Sequence, residues 1–154
     1  MMSGGERGKL AGIDYGTVRI GVAITDPDRT MAFPFESYTR RNEKRDADYF
    51  RALAEEERIV KFIVGLPLHL DGRMSEKAVE AQAFGAKLAE ITGRPVEYMD
   101  ERFTSVEAGG ILREAKMTTK KRKARVDKIA AQILLTHYLE RGCVGTETPE
   151  SLDD

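Results

Sequence analysis

At 154 residues, with 41% hydrophobic and 33% charged side chains, the chain is long enough for one packed core and too short for two ordinary domains. That balance belongs to a soluble globular protein. No apolar run approaches the roughly 20 residues that cross a bilayer, and the opening "MMSGGERGK" has no signal-peptide core. The expected setting is therefore the cytoplasm, with no membrane partner. A single cysteine, Cys143, excludes an internal disulfide and a cysteine-based zinc site. The net charge of −1 conceals an uneven distribution. Seven Lys/Arg and one acid lie between Arg113 and Arg125, whereas the final "TETPESLDD" holds four acids and no base.

Residues 1–8 are polar and Gly-rich and are expected to form a disordered tail. A domain over 9–143 follows, and an acidic flexible tail over 144–154. "KLAGID" reads as a first strand, "YGTV" as a turn, and "RIGVAITD" as a returning strand with Ile20, Val22 and Ile24 on one face. "MAFPFESYT" alternates as a third strand, with Pro34 marking an edge or a bulge. Three strands with no helix between them predict an antiparallel meander. "RDADYFRALAEEER" then places Phe50, Leu53 and Ala54 on one helical face. "IVKFIVGLP" is an apolar, β-branched run that suits a strand buried on both sides.

After the loop "PLHLDGRM", Ser75 to Thr92 is predicted helical, with Val79, Ala83, Phe84, Leu88 and Ile91 as its apolar stripe. "GRPVEYMDE" turns into another strand. Thr104 and Glu107 fit a capping box that opens a helix over "TSVEAGGILREA". The basic stretch "KMTTKKRKAR" comes next, too polar for burial. "VDKIAAQILLTHYLER" forms the last helix, with Val126, Ile129, Ala130, Ile133 and His137 facing inward and Gly142 as C-cap. The order β-β-β-α-β-α-β-α-α predicts a mixed sheet, antiparallel first and parallel later, covered by helices.

Sites in open α/β sheets form at the carboxyl ends of strands. Asp14 ends the first strand, Asp100 and Glu101 end "PVEYMDE", and Asp127 opens the last helix. Alone, each has an ordinary reading: a turn residue at Asp14, a helix cap at Asp127, a surface ion pair between Glu101 and Arg102. Together they would repel unless protonated, hydrogen-bonded or bound to metal. Oxygen ligands of this kind suit Mg²⁺ or Mn²⁺. Two such ions about 3.5–4 Å apart clamp the attacking and leaving oxygens of a phosphoryl displacement.

"GIDYGTVRIGVAITD", "FIVGLPLHLDG", "VEYMDERFTSVEA" and "KARVDKIAAQILLTHYL" resemble, in that order, the motifs of the YqgF/RuvX family. That family is described as Holliday junction resolvases and as nucleases processing the 5′ end of the 16S ribosomal RNA precursor. The likeness runs from about Leu10 to about Gly142. It implies a ribonuclease H-like α/β fold, with helices on both faces of the mixed sheet. It maps the catalytic, metal-holding acids onto Asp14, Glu101 and Asp127, leaving Asp100 as the lesser candidate. One or two Mg²⁺ or Mn²⁺ ions are the implied cofactor. The family often carries Asn where this chain has His69.

Further readings concern the substrate. Gly16 would let the backbone approach a phosphate, and Thr17 would contact one through its hydroxyl or amide. His69 sits on the presumed rim, and Arg102 would meet a phosphate or pair with Asp100. Lys120, Lys121, Arg122, Lys123 and Arg125 form the expected grip, a flexible segment that closes on nucleic acid. Without an interleaved aromatic, that segment is not expected to stack on bases. His137 is read as a packed core histidine. The expected partner is nucleic acid, structured RNA ahead of branched DNA, met by a monomer or weak homodimer. The competing functions are junction resolution, nucleic-acid binding without catalysis, and an ATP-binding lobe suggested by "DYGT". The last would need a second lobe that 154 residues do not supply.

Overall fold

The computed structural model describes residues 8–101 and 119–143, with side chains of the last helix described from Arg125 onward. Strands β1 (Lys9–Asp14), β2 (Arg19–Thr25) and β3 (Ala32–Thr39) form the antiparallel meander. Helix α1 (Glu43–Glu56), strand β4 (Ile59–Leu66), helix α2 (Glu76–Thr92), strand β5 (Val96–Asp100) and helix α3 (Thr119–Glu140) follow. The five strands lie in the order β3-β2-β1-β4-β5, with β4 parallel to both β1 and β5. Strands β1, β3, β4 and β5 therefore all point the same way, and their carboxyl ends share one rim.

Local chemistry sets the boundaries. The Asp26 carboxylate accepts the N–H groups of Thr30 and Met31 at 2.8 and 2.9 Å, which closes the β2–β3 turn. Pro34 lies on the edge strand beside a bulge: Val22 faces Glu36 and Ala23 faces Pro34, so Phe35 is the extra residue. Asn42 and Ser75 cap α1 and α2 by accepting the N–H of Arg45 and Ala78. Gly142, at φ +73°, ends α3, where the N–H groups of Gly142 and Cys143 reach back to the carbonyls of Leu139 and Tyr138.

Strand parity divides the core. Ala11, Ile13, Ile20, Val22, Phe62, Val64 and Leu66 face α1 and α2, where Phe50, Leu53, Phe84 and Leu88 meet them. Leu10, Ala23, Ile63 and Met99 face α3, whose Ala131, Leu134, Leu135 and Tyr138 pack on them.

Three sequence expectations need correction. On α2 the inward residues are Ala78, Ala81, Phe84, Gly85 and Leu88, while Val79 is 51% exposed and Ala83 is exposed too. Small residues carry this interface because Gly85 lies against Tyr98, so side-chain size misplaced the stripe. On α3 the stripe is rotated by one residue: Ala130, Ala131, Leu134, Leu135 and Tyr138 are buried, and Val126, Ile129, Ile133 and His137 are only half-buried. Finally, residues 119–125 are helical rather than a loop. Lys, Arg and Ala are strong helix formers, and charge density does not override that propensity here. Asp127 consequently lies inside α3 and does not cap it. The predicted helix over 104–115 and the two tails fall outside the described residues, apart from Gly8.

Candidate active site

Asp14 ends β1, with its side chain on the α3 side, by the same alternation that sends Leu10 there and Ile13 to the other face. It pairs in register with Gly21 of β2. A Cβ on Gly21 would run into the Asp127 carbonyl, so a bare strand at this point lets α3 lie directly on the hairpin. One step along, a Cβ on Gly12 would stand 3.0 Å from the Ala131 carbonyl. Two glycines thus fix the height of α3, and with it Asp127, over the end of β1.

Glu101 follows β5, and its backbone N–H donates to the Leu66 carbonyl at 3.2 Å. Parity again selects the face. Met99 packs with the α3-side core, so Glu101 turns the same way and Asp100 the other. The Glu101 carboxyl lies over Gly65, in the space that a Cβ there would fill. Gly65 follows Val64, the partner of Ile13, so this is the place beside Asp14. Asp14 and Glu101 meet, hydrogen-bonded to each other.

Burial away from water pushes Asp14 up to about 7. The charge of Asp127 adds to this, while the hydrogen bond from Glu101 and the Lys77 ammonium oppose it. Burial, then the charge of Asp14, the shared hydrogen bond and Asp100 hold Glu101 well above the carboxylate range, against Lys77. The shared bond lowers Asp14 and raises Glu101. Such a pair tolerates two acids only by neutralising one or by meeting positive charge.

Asp127 is near enough to raise Asp14, but its Oδ2 accepts the Arg19 Nε–H at 2.7 Å and the Ser37 hydroxyl at 3.1 Å. Among the described residues no three acid, histidine or cysteine side chains converge closely enough to hold one ion. The three predicted acids are therefore gathered on one face as a pair plus one. The pair is a donor set of hard oxygens under positive-charge demand, which fits a hard divalent cation.

The remaining predicted residues distribute around the rim. Gly16 and the exposed Thr17 form the turn after Asp14, and Gly16 lies against the Arg19 carbonyl, which leaves no room for a side chain. His69 is exposed in the loop after β4, where its N–H and carbonyl bond Arg73 and Gly72 at 2.8 Å each. Lys120 to Lys123 lie in the first turns of α3, and Arg125 is exposed there. Arg102 lies outside the described residues. Four contributors escape a reading of the sequence: Lys77, Arg19, Ser37 and the cradle glycine Gly65. The glycines at 12, 21 and 65 are the readable signal, since glycine inside a strand marks close approach.

The fold defines a class. Thermus thermophilus RuvC in complex with a Holliday junction substrate superimposes with a TM-score of 0.56 at 16% identity, covering 90% of this chain and 98% of that one. A second Thermus thermophilus RuvC structure gives 0.53 at 15% identity. These likenesses show a ribonuclease H-like α/β fold. The sequence goes further: the model of the RuvX family, described as "Holliday junction resolvase", matches residues 8–141, and this chain belongs to that family. A Rhodopirellula baltica protein named "Putative pre-16S rRNA nuclease" is 50% identical over 157 residues, covering 96% of this chain and 91% of its own. One of the same name from Koribacter versatilis is 40% identical, covering 94% of each.

Proposed function

We propose that this chain is a divalent-metal-dependent endonuclease that hydrolyses phosphodiesters, acting in the cytoplasm on the 5′ end of the 16S ribosomal RNA precursor. The observation that carries this reading is the half-buried Asp14–Glu101 pair at the shared carboxyl rim, with Asp127 held above it by α3. Membership of a nuclease family supports the reaction class. The name shared by the curated relatives supports the RNA substrate over a branched DNA.

Asp14, Glu101 and Asp127 would hold one or two Mg²⁺ or Mn²⁺ ions. Bound there, a divalent cation supplies charge to the phosphate and acidity to water. The chain supplies everything else. Asp14 and Glu101 give up their shared proton to present two carboxylates, and burial holds both above the ordinary carboxylate range, Asp14 at about 7. Arg19 and Ser37 hold Asp127 at its station until it is needed at the pair. Lys77 brings positive charge to the same rim, where it would meet the phosphate of a bound strand. Thr17, His69 and the basic turns of α3 flank the rim and contact the strand. Cleavage of a labelled precursor RNA by the wild type in Mn²⁺, lost in Asp14→Asn, tests the reading. Equal cutting by both proteins would overturn it.

A further inference from the structure

A second cationic stretch stands at the same rim as the acids, on the opposite side from α3. The sequence "YTRRNEKRDADYF" puts Arg40, Arg41, Lys44 and Arg45 within six residues against one acid, Glu43. Arg40 turns inward. Its guanidinium bonds Asp46 at 3.2 Å, the Tyr15 hydroxyl at 3.0 Å and the Gly16 carbonyl at 3.4 Å, and it lies over the Tyr15 and Phe84 rings. Asp46 is itself buried. Burial alone would raise it, but the Arg41 N–H, the Tyr38 hydroxyl and Arg40 hold it below the ordinary value. The β3–α1 corner is thus rigid, and it is fastened to the turn that follows Asp14.

The other three cations face out. A groove of about 620 Å³ is lined by Tyr38, Arg41, Lys44, Arg45, Asp48 and Tyr49. Its floor is a stacked pair, Tyr38 on Tyr49 with ring centres 4.0 Å apart, and both hydroxyls are tied down, to Asp46 and Glu36. The one acid of the lining, Asp48, already pairs with Lys44 and Arg51. Arg41 and Arg45 form no ion pair among the described residues, and Arg45 is exposed. A groove with uncompensated guanidinium groups and an aromatic floor suits a phosphate-bearing strand.

Register ties this groove to the reaction site. Thr39 pairs with Arg19, and the Arg40 N–H donates to the Val18 carbonyl at 2.9 Å. Arg41 therefore stands beside the Tyr15–Val18 turn, one turn from Asp14. The α3 basic turns bracket the acids from the other side.

We propose that the β3–α1 groove binds the sugar–phosphate backbone of the substrate strand where it leaves the Asp14–Glu101 site, with Arg41 and Arg45 as its principal phosphate contacts. This assignment builds on the nuclease reading, but its test does not depend on cleavage. Binding of a fluorescein-labelled single-stranded RNA of about twenty nucleotides to the full chain is followed by anisotropy in EDTA across a salt series. Arg41→Gln/Arg45→Gln should weaken binding about tenfold at low salt. It should also flatten the dependence of log K on log salt by about 1.4, since each phosphate neutralised on a single strand adds roughly 0.7 to that slope. Lys87→Gln, a charge removed from α2 outside the groove, should change affinity less than twofold.

Both altered arginines keep their backbone bonds to Asp46 and Asn42, so the fold should be kept. As an independent check, Arg45→Glu should weaken binding more than Arg45→Gln. Unchanged affinity and salt slope in the double variant would overturn the groove. Weakened binding in the double variant, from a wild type that cuts nothing in Mn²⁺, would instead overturn the nuclease reading and leave the groove standing.

Discussion

The two faces of the β1–β2 hairpin are built to opposite rules. Toward α1 and α2 the strands present Ala11, Ile13, Ile20 and Val22, all buried, a surface whose main demand is tight packing. Toward α3 they present Leu10, Gly12, Asp14, Gly21 and Ala23, mostly small residues and one acid. The first face stabilises through buried area. The second gives up area so that a helix backbone can touch a strand, and that contact seats Asp127 over Asp14. Packing and positioning thus occupy the same strands, separated by the two-residue period.

The largest effect separating the faces should come from Asp14→Asn. On the nuclease reading it removes one of the cation's carboxylates and lowers cleavage by about 10³-fold or more, roughly 4 kcal/mol of barrier. The fold should be untouched or firmer. Glu101→Gln should behave alike, whereas Asp100→Asn, on the opposite parity, should retain most activity. Quantitative cleavage rates on one RNA substrate decide between them.

Next in size is a paired test of the hairpin. Val22→Ala opens a cavity on the packing face and should cost about 2 kcal/mol in urea unfolding with near-normal turnover. Gly21→Val drives a side chain into the Asp127 carbonyl, lifts α3, and should cost activity about a hundredfold with a stability loss of about 1–3 kcal/mol. If Gly21→Val kept full activity, the glycine would not be setting the station of Asp127.

A smaller effect is expected in the pH dependence of the metal-free protein. Asp14 and Glu101 both titrate higher in the folded chain than in the unfolded one. The folded state therefore binds more protons between the ordinary carboxylate range and about 7. The stabilising contribution of the pair is complete below the unfolded values and is lost as pH rises through the folded ones. Urea unfolding in EDTA should show stability falling by a few kcal/mol, on the order of one pKa shift, between about pH 4 and pH 8. Asp14→Asn should flatten that fall. The smallest change should follow Arg19→Gln, which frees Asp127 from its 2.7 Å contact and should alter turnover only a few-fold, within the range of a partly buried ion pair.

Much of this is legible in the residues. The β2 alternation of Ile20, Val22 and Ile24, the continuous apolar run of β4 and the caps at Ser75 and Gly142 all follow local rules, and the mixed sheet, antiparallel first and parallel later, follows from them. The acids at strand ends are readable as well. The helix faces are harder, because α2 packs through Ala78, Ala81 and Gly85 rather than through its larger side chains. The basic run before Asp127 resembles a loop because charge masks helix propensity. Spacing alone does not separate Asp100 from Glu101, although the burial of Met99 fixes their parity. Lys77, Arg19 and Ser37 cannot be found from spacing, since only tertiary packing brings them to the acids.

The decisive experiment is cleavage of a labelled 16S precursor RNA by the wild type, titrated with Mn²⁺ and then with EDTA, beside Asp14→Asn and Asp100→Asn. Cutting that requires Mn²⁺, stops with chelation, vanishes in Asp14→Asn and survives in Asp100→Asn is the expected result. Cutting that persists in EDTA, or that Asp14→Asn performs as fast as the wild type, would contradict a cation site at the half-buried carboxyl pair.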